Sequence, residues 1–241
     1  MLPEHFYFTG AGWLGYFIYM PIALLVIGLI YRLLLRRISL LVIRCPVMIV
    51  TSIVLITWPL WGALAISYQA EKLCKEQGGL HVYKTAETDG FLGGWGIETA
   101  AKYGFSYVES GGGKHMNRWK MVDGKPVRES ITEYKSRYQV GVGGSEEKIN
   151  LRIRRARSAS VKNRQTGEII GELIIFKIYP SWFDIFTLSL LPVEYNPWIC
   201  GKEAPEQERY YDKLNKRYRY TFSDLIKETL KPKQPYNGEE E

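Results

Sequence analysis

The chain has 241 residues, of which 32 are Lys or Arg and 25 are Asp or Glu, so its formal net charge is +7. Basic and aromatic residues do not alternate in any recognisable nucleic-acid module, which argues against a nucleic-acid partner. The mean hydropathy of −0.16 is ordinary, but this average conceals two long apolar segments.

The two apolar segments, residues 12–31 and 47–68, carry no charged side chain. At 1.5 Å per residue, about 20 residues are enough for a helix to cross roughly 30 Å of hydrocarbon. Each contains a proline, Pro21 or Pro59, which a membrane helix tolerates when a neighbouring group satisfies the freed carbonyl. The alternatives are buried helices of a soluble protein and a cleavable signal peptide. Uncharged runs of this length are rare in soluble cores, and the N-terminus lacks a basic region.

The predicted fold is therefore a two-helix transmembrane hairpin followed by an α+β domain with a mainly antiparallel sheet and C-terminal helices. The predicted segments are a tail at 1–11, transmembrane helices at 12–35 and 47–68, a connector at 36–46, a β-rich domain at 72–230 and a disordered tail at 231–241.

The basic residues predict the orientation of this hairpin. Because positively charged flanks favour the cytoplasm, the connector is expected inside the cell and both termini outside it. Lys72 and Lys75 argue weakly for the opposite orientation, but acidic residues lie beside them. The topology-determining residues are Arg32, Arg36, Arg37 and Arg44.

This orientation gives the three cysteines different environments. Cys74 and Cys200 would share an oxidising compartment, whereas Cys45 would face the cytoplasm, so a Cys74–Cys200 disulfide is predicted. The alternative is a pair of unpaired buried thiols. No Cys or His spacing typical of a metal site occurs, and neither a metal nor a cofactor is predicted.

Alternating apolar residues predict the strands of the domain. A short strand follows Gly78 and Gly79, and three long strands at 134–142, 149–162 and 168–179 should form an antiparallel meander. Asp123-Gly124 predicts a tight hairpin. The glycine-rich region 89–113 is expected to be an extended loop with at most one short element. Its Trp95 is either an ordinary core residue or a contact for the membrane surface or a partner.

The C-terminal region predicts helices. Residues 206–218 have good helix formers, with Tyr210, Leu214 and Tyr218 spaced by four. Ser223 is the expected cap of a second helix that runs through Leu230 and is ended by Pro232.

No catalytic pattern stands out. Lys114 after three glycines fails as a phosphate-binding loop, because histidine and no helical pattern follow it. Glu168 and Glu172 are expected to be solvent-facing partners of arginines on the neighbouring strand. Those arginines either protect a sheet edge or contact anionic lipid or an acidic partner. They are Arg152, Arg154, Arg155 and Arg157.

The sequence from Cys74 through Gly78-Gly79 to Tyr83 resembles a group of uncharacterised proteobacterial envelope proteins. These have a membrane segment or lipoprotein anchor, a cysteine followed by paired small residues, and a late cysteine, here Cys200. Thr166-Gly167-Glu168 resembles their turn between two strands. The resemblance implies an anchored periplasmic domain and no catalytic activity; the two-span hairpin and the basic C-terminal extension depart from it.

These features predict a non-catalytic inner-membrane protein whose periplasmic domain binds another envelope protein. One alternative is an immunity or exclusion protein against a periplasmic toxin or a competing element. Another is an envelope enzyme acting on lipid or peptidoglycan. The expected partners are the lipid bilayer and an envelope protein, and the oligomeric state is left open.

Overall fold

The structure, a computed structural model, describes residues 6–33, 41–113, 115–144, 146–190, 196–201, 210–212 and 217–233. The chain divides into two compact units. The helical unit comprises Met1–Leu73, Ile149–Ile153 and Lys177–Trp198. The sheet unit comprises Cys74–Lys148, Arg154–Phe176 and Ile199–Glu241.

Two long helices dominate the helical unit: α1, Gly10–Leu33, and α2, Leu41–Gln77. Both are long and apolar enough to cross a membrane, and most of their apolar side chains are exposed. The helix α2 begins before the predicted span and continues beyond it, because apolar residues from Leu41 extend the run and good helix formers follow Tyr68. Arg44, Cys45 and Pro46 therefore lie in the helix rather than in a connector.

The proline in the middle of α2 has a specific compensation. Pro59 has no N–H, so the carbonyl of Leu55 four residues earlier loses its helical partner. The hydroxyl of Tyr19 on α1 donates to that carbonyl at 2.8 Å. This contact ties α1 to α2 at the point where α2 lacks a backbone hydrogen bond.

The helical unit contains one further described helix, α4 (Trp182–Ser189), which is the fourth along the chain and packs against the start of α1. Ser181 caps α4 by accepting a hydrogen bond from the backbone N–H of Asp184. Phe183 lies in a small apolar cluster with Phe8 and Ala63. The start of α1 and the start of α4 are therefore held together within the helical unit.

Most described strands belong to one mixed, mostly antiparallel sheet. The first eleven strands are β1 Gly79–Val82, β2 Ala86–Thr88, β3 Gly90–Leu92, β4 Tyr107–Gly112, β5 His115–Val122, β6 Lys125–Ile131, β7 Tyr138–Val142, β8 Glu146–Lys148, β9 Ile153–Asn163, β10 Ile169–Ile178 and β11 Trp198–Cys200. The strand order of the sheet is β1-β10-β9-β7-β3-β4-β5-β6, and further pairings add β11 to β10 and β8 to β9. The strand β3 pairs in parallel with both β4 and β7.

The predicted meander and hairpin are confirmed, but two meander strands begin later than predicted: β7 at Tyr138 rather than Tyr134, and β9 at Ile153 rather than Ile149. The strands β7, β9 and β10 are neighbours in the sheet. Asp123 and Gly124 join β5 to β6 with φ values of 51° and 72°. Positive φ at both central positions is the two-residue turn that suits the twist of a hairpin.

The interpretation of 89–113 as an extended loop is wrong. This region contains β3, the short helix α3 (Ile97–Lys102) and β4. A Cβ at Gly90 would collide with Tyr107 on β4. Glycine therefore marks a close approach of two strands here, and Phe91, fully buried, lies at the centre of the core.

The C-terminal prediction is correct in part. The predicted helix at 206–218 is wrong where the chain is described, because Tyr210–Asp212 (β12) and Arg217–Arg219 (β13) pair as antiparallel strands. The second predicted helix exists as α5, Phe222–Thr229, but its cap is Thr221, in a capping box with Asp224. Leu230–Pro232 forms β14, parallel to β2, and Lys233 pairs with Asp89 at 3.0 Å, so the predicted disordered tail is wrong at its start. Residues 234–241 lie outside the described residues.

Candidate functional site

The two predicted disulfide cysteines are joined in the structure, with their Cα atoms 5.8 Å apart. Close backbone contacts next to this disulfide explain why glycines occupy positions 78 and 79. A Cβ at Gly78 would lie 2.6 Å from the backbone oxygen of Cys74 and 2.6 Å from the Cα of Gly201. Gly79, just after the end of α2, has a φ of 103°, which favours glycine. The paired glycines thus allow the chain to turn and the segment around Cys200 to approach.

The four topology-determining arginines do not form a single site. Arg32 lies in the last turn of α1. The guanidinium of Arg44 lies 4.4 Å from the ring centre of Tyr31, a cation–π geometry. Arg36 and Arg37 lie outside the described residues.

The predicted arginine stripe is divided by its contacts. Arg155 and Arg157 approach Glu172, which is 5% exposed, so Glu172 is buried rather than solvent-facing. Arg154 pairs with Glu146 at 3.4 Å near the sheet surface. Arg152 lies in the segment Ile149–Ile153 of the helical unit, where its backbone N–H donates to the side-chain oxygen of Asn150.

The surroundings of Glu172 keep its carboxylate charged. The hydroxyl of Tyr83 donates to Oε1 at 2.6 Å, and Nε of Arg157 donates to Oε2. Burial by itself would raise the pKa of Glu172, but the hydrogen bonds and the arginine charges outweigh it, so the pKa lies below its usual value. Burial, together with this carboxylate, raises the pKa of Tyr83. A saturated carboxylate of this kind stabilises the sheet and leaves little capacity for acid–base chemistry.

A second buried carboxylate, Glu109 on β4, has the same character. It is fully buried and accepts from Nη2 of Arg118 at 2.7 Å and from the backbone N–H groups of Lys135 and Ser136. Burial by itself would raise the pKa of Glu109. The hydrogen bonds from Ser136 and Lys135 and the contact with Arg118 lower it by more, so the pKa lies below its usual value. Glu109 thus fixes the segment before β7 to the β4–β5 pair.

The sheet unit also has a groove of about 410 Å³ between α3 and the β5–β6 hairpin. Trp119 on β5 faces Arg128, and Met121 faces Pro126, so these side chains share the face of the sheet next to α3. The lining residues are Trp95, Gly96, Ile97, Glu98, Thr99, Ser110, Trp119 and Pro126. We name this feature the tryptophan groove.

The two indoles that give the groove its name are held by hydrogen bonds. Nε1 of Trp95 donates to Ser223 on α5 at 3.0 Å, and Nε1 of Trp119 donates to Ser110 at 3.2 Å. Because both N–H groups have partners, the indoles offer apolar ring surface to a ligand. Trp95 also stacks on Tyr103, with ring centres 5.0 Å apart. It is therefore half-buried and packed against the core while it lines the groove.

The strand β6 borders this groove and ends the strand order of the sheet. Its residues are exposed except for the half-buried Ile131. An edge strand presents unpaired backbone groups to an incoming strand. Groove and edge together form a surface that suits an extended polypeptide segment.

The sequence did not reveal the tryptophan groove. The hairpin that carries Trp119 is predictable, but Trp95 reaches it only through the parallel pairing of β3 with β4 and the antiparallel pairing of β4 with β5. In the described ranges, no group of three or more His, Cys, Asp or Glu side chains could hold a metal ion.

The protein thus consists of two long apolar helices and a mixed, mostly antiparallel sheet domain, whose last described elements are a helix and a short strand. Comparison with protein-family models, with curated proteins and with solved structures gives no significant match for this chain.

Proposed function

We propose that this is a non-catalytic bacterial inner-membrane protein whose periplasmic sheet unit binds an extended segment of another envelope protein. The observation that carries the proposal is the tryptophan groove beside the exposed edge strand β6. Binding would hold the partner segment against β6, with alternate side chains entering the groove.

Two features support the periplasmic location. The Cys74–Cys200 disulfide suits an oxidising compartment, whereas reduced thiols are the rule in the cytosol. The four arginines between the apolar segments favour a cytoplasmic connector, which leaves the sheet unit on the opposite side of the membrane. The proposed anchor is the pair α1 and α2.

The mode of binding follows from the geometry of an edge strand. A segment that pairs with β6 gains backbone hydrogen bonds, and every second side chain points to the face that carries Trp119 and Pro126. Pro126 removes one donor from the edge, and Arg128 and Glu129 are charged, which discourages indiscriminate pairing. Specificity would therefore come from the side chains that fill the groove.

The expected affinity is moderate. Burying one large apolar side chain contributes about 1.5–3 kcal/mol, and a groove of this size accepts about two such side chains. Association costs at least about 4 kcal/mol in lost translational and rotational freedom. The hydrogen bonds of backbone pairing must therefore supply the rest of the binding free energy. Confinement of both proteins to one membrane would raise their effective concentration and make a weak contact sufficient.

The composition of the lining favours binding over catalysis. Glu98 is the one titratable residue among those that line the groove. A general acid and base, or a nucleophile and its base, would need two such groups within hydrogen-bonding reach.

Site-specific photocrosslinking in living cells tests the proposal. A benzophenone amino acid at Thr99, exposed in the groove, should crosslink one defined envelope protein, identified by mass spectrometry of the product. The matched control is the same amino acid at Val142, which is 77% exposed on β7. In a separate variant, Pro126→Arg should place a charge in the groove and abolish the Thr99 product, while Val142→Arg should leave it unchanged.

Identical products from Thr99 and Val142, or a Thr99 product that survives Pro126→Arg, would refute the assignment of the tryptophan groove. Loss of expression in the Pro126 variant is tested separately, by the protease resistance of the membrane-extracted protein.

A further inference from the structure

We propose that α4 is a third membrane-embedded element, which lies within one bilayer leaflet beside the start of α1 and presents its exposed apolar row to lipid acyl chains. This inference rests on the proposed membrane anchoring by α1 and α2. It assigns a lipid-contact surface to a segment that the sequence analysis placed in the β-rich domain.

The depth of α4 follows from its contacts along α1. A Cβ at Gly12 would collide with the Asp184 carboxylate, and a Cβ at Gly15 would collide with Thr187. One turn further, the rings of Tyr19 and Phe183 lie 6.0 Å apart. Residues 12 to 19 cover about 10 Å of the helix axis, all of it inside the uncharged apolar run. The helix α4 therefore lies alongside the proposed membrane span and not beyond its end.

Contacts between α4 and the second proposed span, α2, place α4 at the same depth. A Cβ at Gly62 of α2 would lie 3.0 Å from Cδ1 of Trp182. Gly62 is six residues before Tyr68, where the apolar run of α2 ends. Small residues on both spans thus allow α4 to approach closely, as small residues do between packed membrane helices.

The exposed face of α4 is apolar. Trp182, Phe186 and Leu190 are spaced by four and are 46%, 57% and 68% exposed. Leu14 and Phe17 of α1, which lie between Gly12 and Tyr19 along the helix axis, are 53% and 68% exposed. If α1 faces lipid at this level, the row on α4 faces the same environment.

The carboxylate and the hydroxyl groups of α4 have hydrogen-bond partners within the protein, as a lipid environment requires. Asp184, the one charged residue of the helix, is fully buried. Its Oδ1 accepts from the backbone N–H of Thr9 at 2.9 Å and from the Thr9 hydroxyl at 2.7 Å, and its Oδ2 accepts from Ser181 at 2.8 Å. The hydroxyls of Thr187 and Ser189 donate to backbone carbonyls of the same helix.

Spin-label accessibility in reconstituted vesicles tests the inference. The full chain carries Cys45→Ser to remove the free thiol, and a nitroxide is attached at Phe186→Cys in phosphatidylcholine–phosphatidylglycerol vesicles. Phe186 is exposed, so its replacement should not disturb the fold. Collisions with oxygen, which partitions into lipid, are compared with collisions with a water-soluble nickel chelate.

The label at Phe186 should favour oxygen over the nickel chelate, as a label at Leu25→Cys on α1 should, because Leu25 is 74% exposed. A label at Val142→Cys, in the sheet unit, should show the opposite ratio. If Leu25 reports lipid and Phe186 reports water, or if Phe186 is shielded from both reagents by another protein surface, the inference is overturned while the anchoring stands. If Leu25 itself reports water, the proposed anchoring fails and the inference with it.

Discussion

The disulfide between Cys74 and Cys200 should supply a large part of the stability of the sheet unit. The two residues are 126 positions apart. In the chain-entropy relation, closing a loop of that length removes about 16 cal/mol/K from the unfolded chain, or about 5 kcal/mol at 25 °C. Because net stabilities of domains are about 5–15 kcal/mol, loss of the cross-link should bring the sheet unit close to unfolding.

Urea unfolding of the full chain in detergent micelles, followed by tryptophan fluorescence, measures this contribution. Cys74→Ser, Cys200→Ser and the double variant should lose the same free energy of unfolding, because each removes the same cross-link. Cys45→Ser is the matched control: Cys45 is exposed and unbridged, so its replacement should change stability by less than about 0.5 kcal/mol.

Two results would contradict this reasoning. If the single losses add in the double variant, each cysteine stabilises the protein through its own packing and not through a shared bond. If chemical reduction of the Cys74–Cys200 disulfide in the unchanged protein moves the urea midpoint of unfolding no further than Cys45→Ser does, the cross-link is not a main source of stability.

Three further predictions concern the sheet unit, each measured as a free energy of unfolding. Gly78→Ala should cost about 1–3 kcal/mol, because its Cβ would meet two backbone segments, whereas Gly141→Ala, with open space around it, should be close to neutral; equal effects would refute the close approach. Glu109→Ala should cost about 3–5 kcal/mol, since it removes the buried carboxylate to which the half-buried Arg118 and two backbone N–H groups donate. Glu129→Ala, at a carboxylate whose side chain is 51% exposed, should cost at most about 1 kcal/mol, and similar losses at the two positions would contradict the role of burial. The pKa values of Glu109 and Glu172 lie below their ordinary 4.5, so their contribution is complete above that pH and is lost as the pH falls through the folded-state values; stability that is unchanged on acidification below pH 4.5 would rule this out.

The predictable parts of the fold are those that local chemistry decides. The Asp123-Gly124 turn requires positive φ at both positions, and this pair of residues adopts it readily. The strand β10 is a nearly continuous apolar run bounded by polar residues, which is typical of a strand covered on both faces.

The wrong predictions fall where tertiary contacts decide between local alternatives. Residues 217–220 alternate Arg and Tyr, a period of two, while Tyr210 and Tyr218 also match a helical spacing. The pairing of Tyr211 with Tyr218 selects strands, and no local signal distinguishes the two patterns. The glycine pattern around Gly90 predicts a loop, because its contact with Tyr107 on the neighbouring strand has no local signal in the sequence.

The tryptophan groove and the environment of Asp184 illustrate a different limit. Thr9 and Asp184 are 175 residues apart, and their hydrogen bond depends on the packing of α4 against α1. Likewise, the proximity of Trp95 and Trp119 depends on strand order. Sequence patterns can indicate that a tryptophan is half-buried, but they do not identify the residue that it meets.

The proposed function requires two membrane-spanning helices that hold the sheet unit in the periplasm. Labelling with a membrane-impermeant maleimide in intact bacterial cells tests it most directly. A Val142→Cys variant, exposed in the sheet unit, should be labelled in intact cells, whereas Cys45 should react only after the inner membrane is permeabilised. Labelling of Cys45 in intact cells, with Val142→Cys protected until lysis, would contradict the proposed topology.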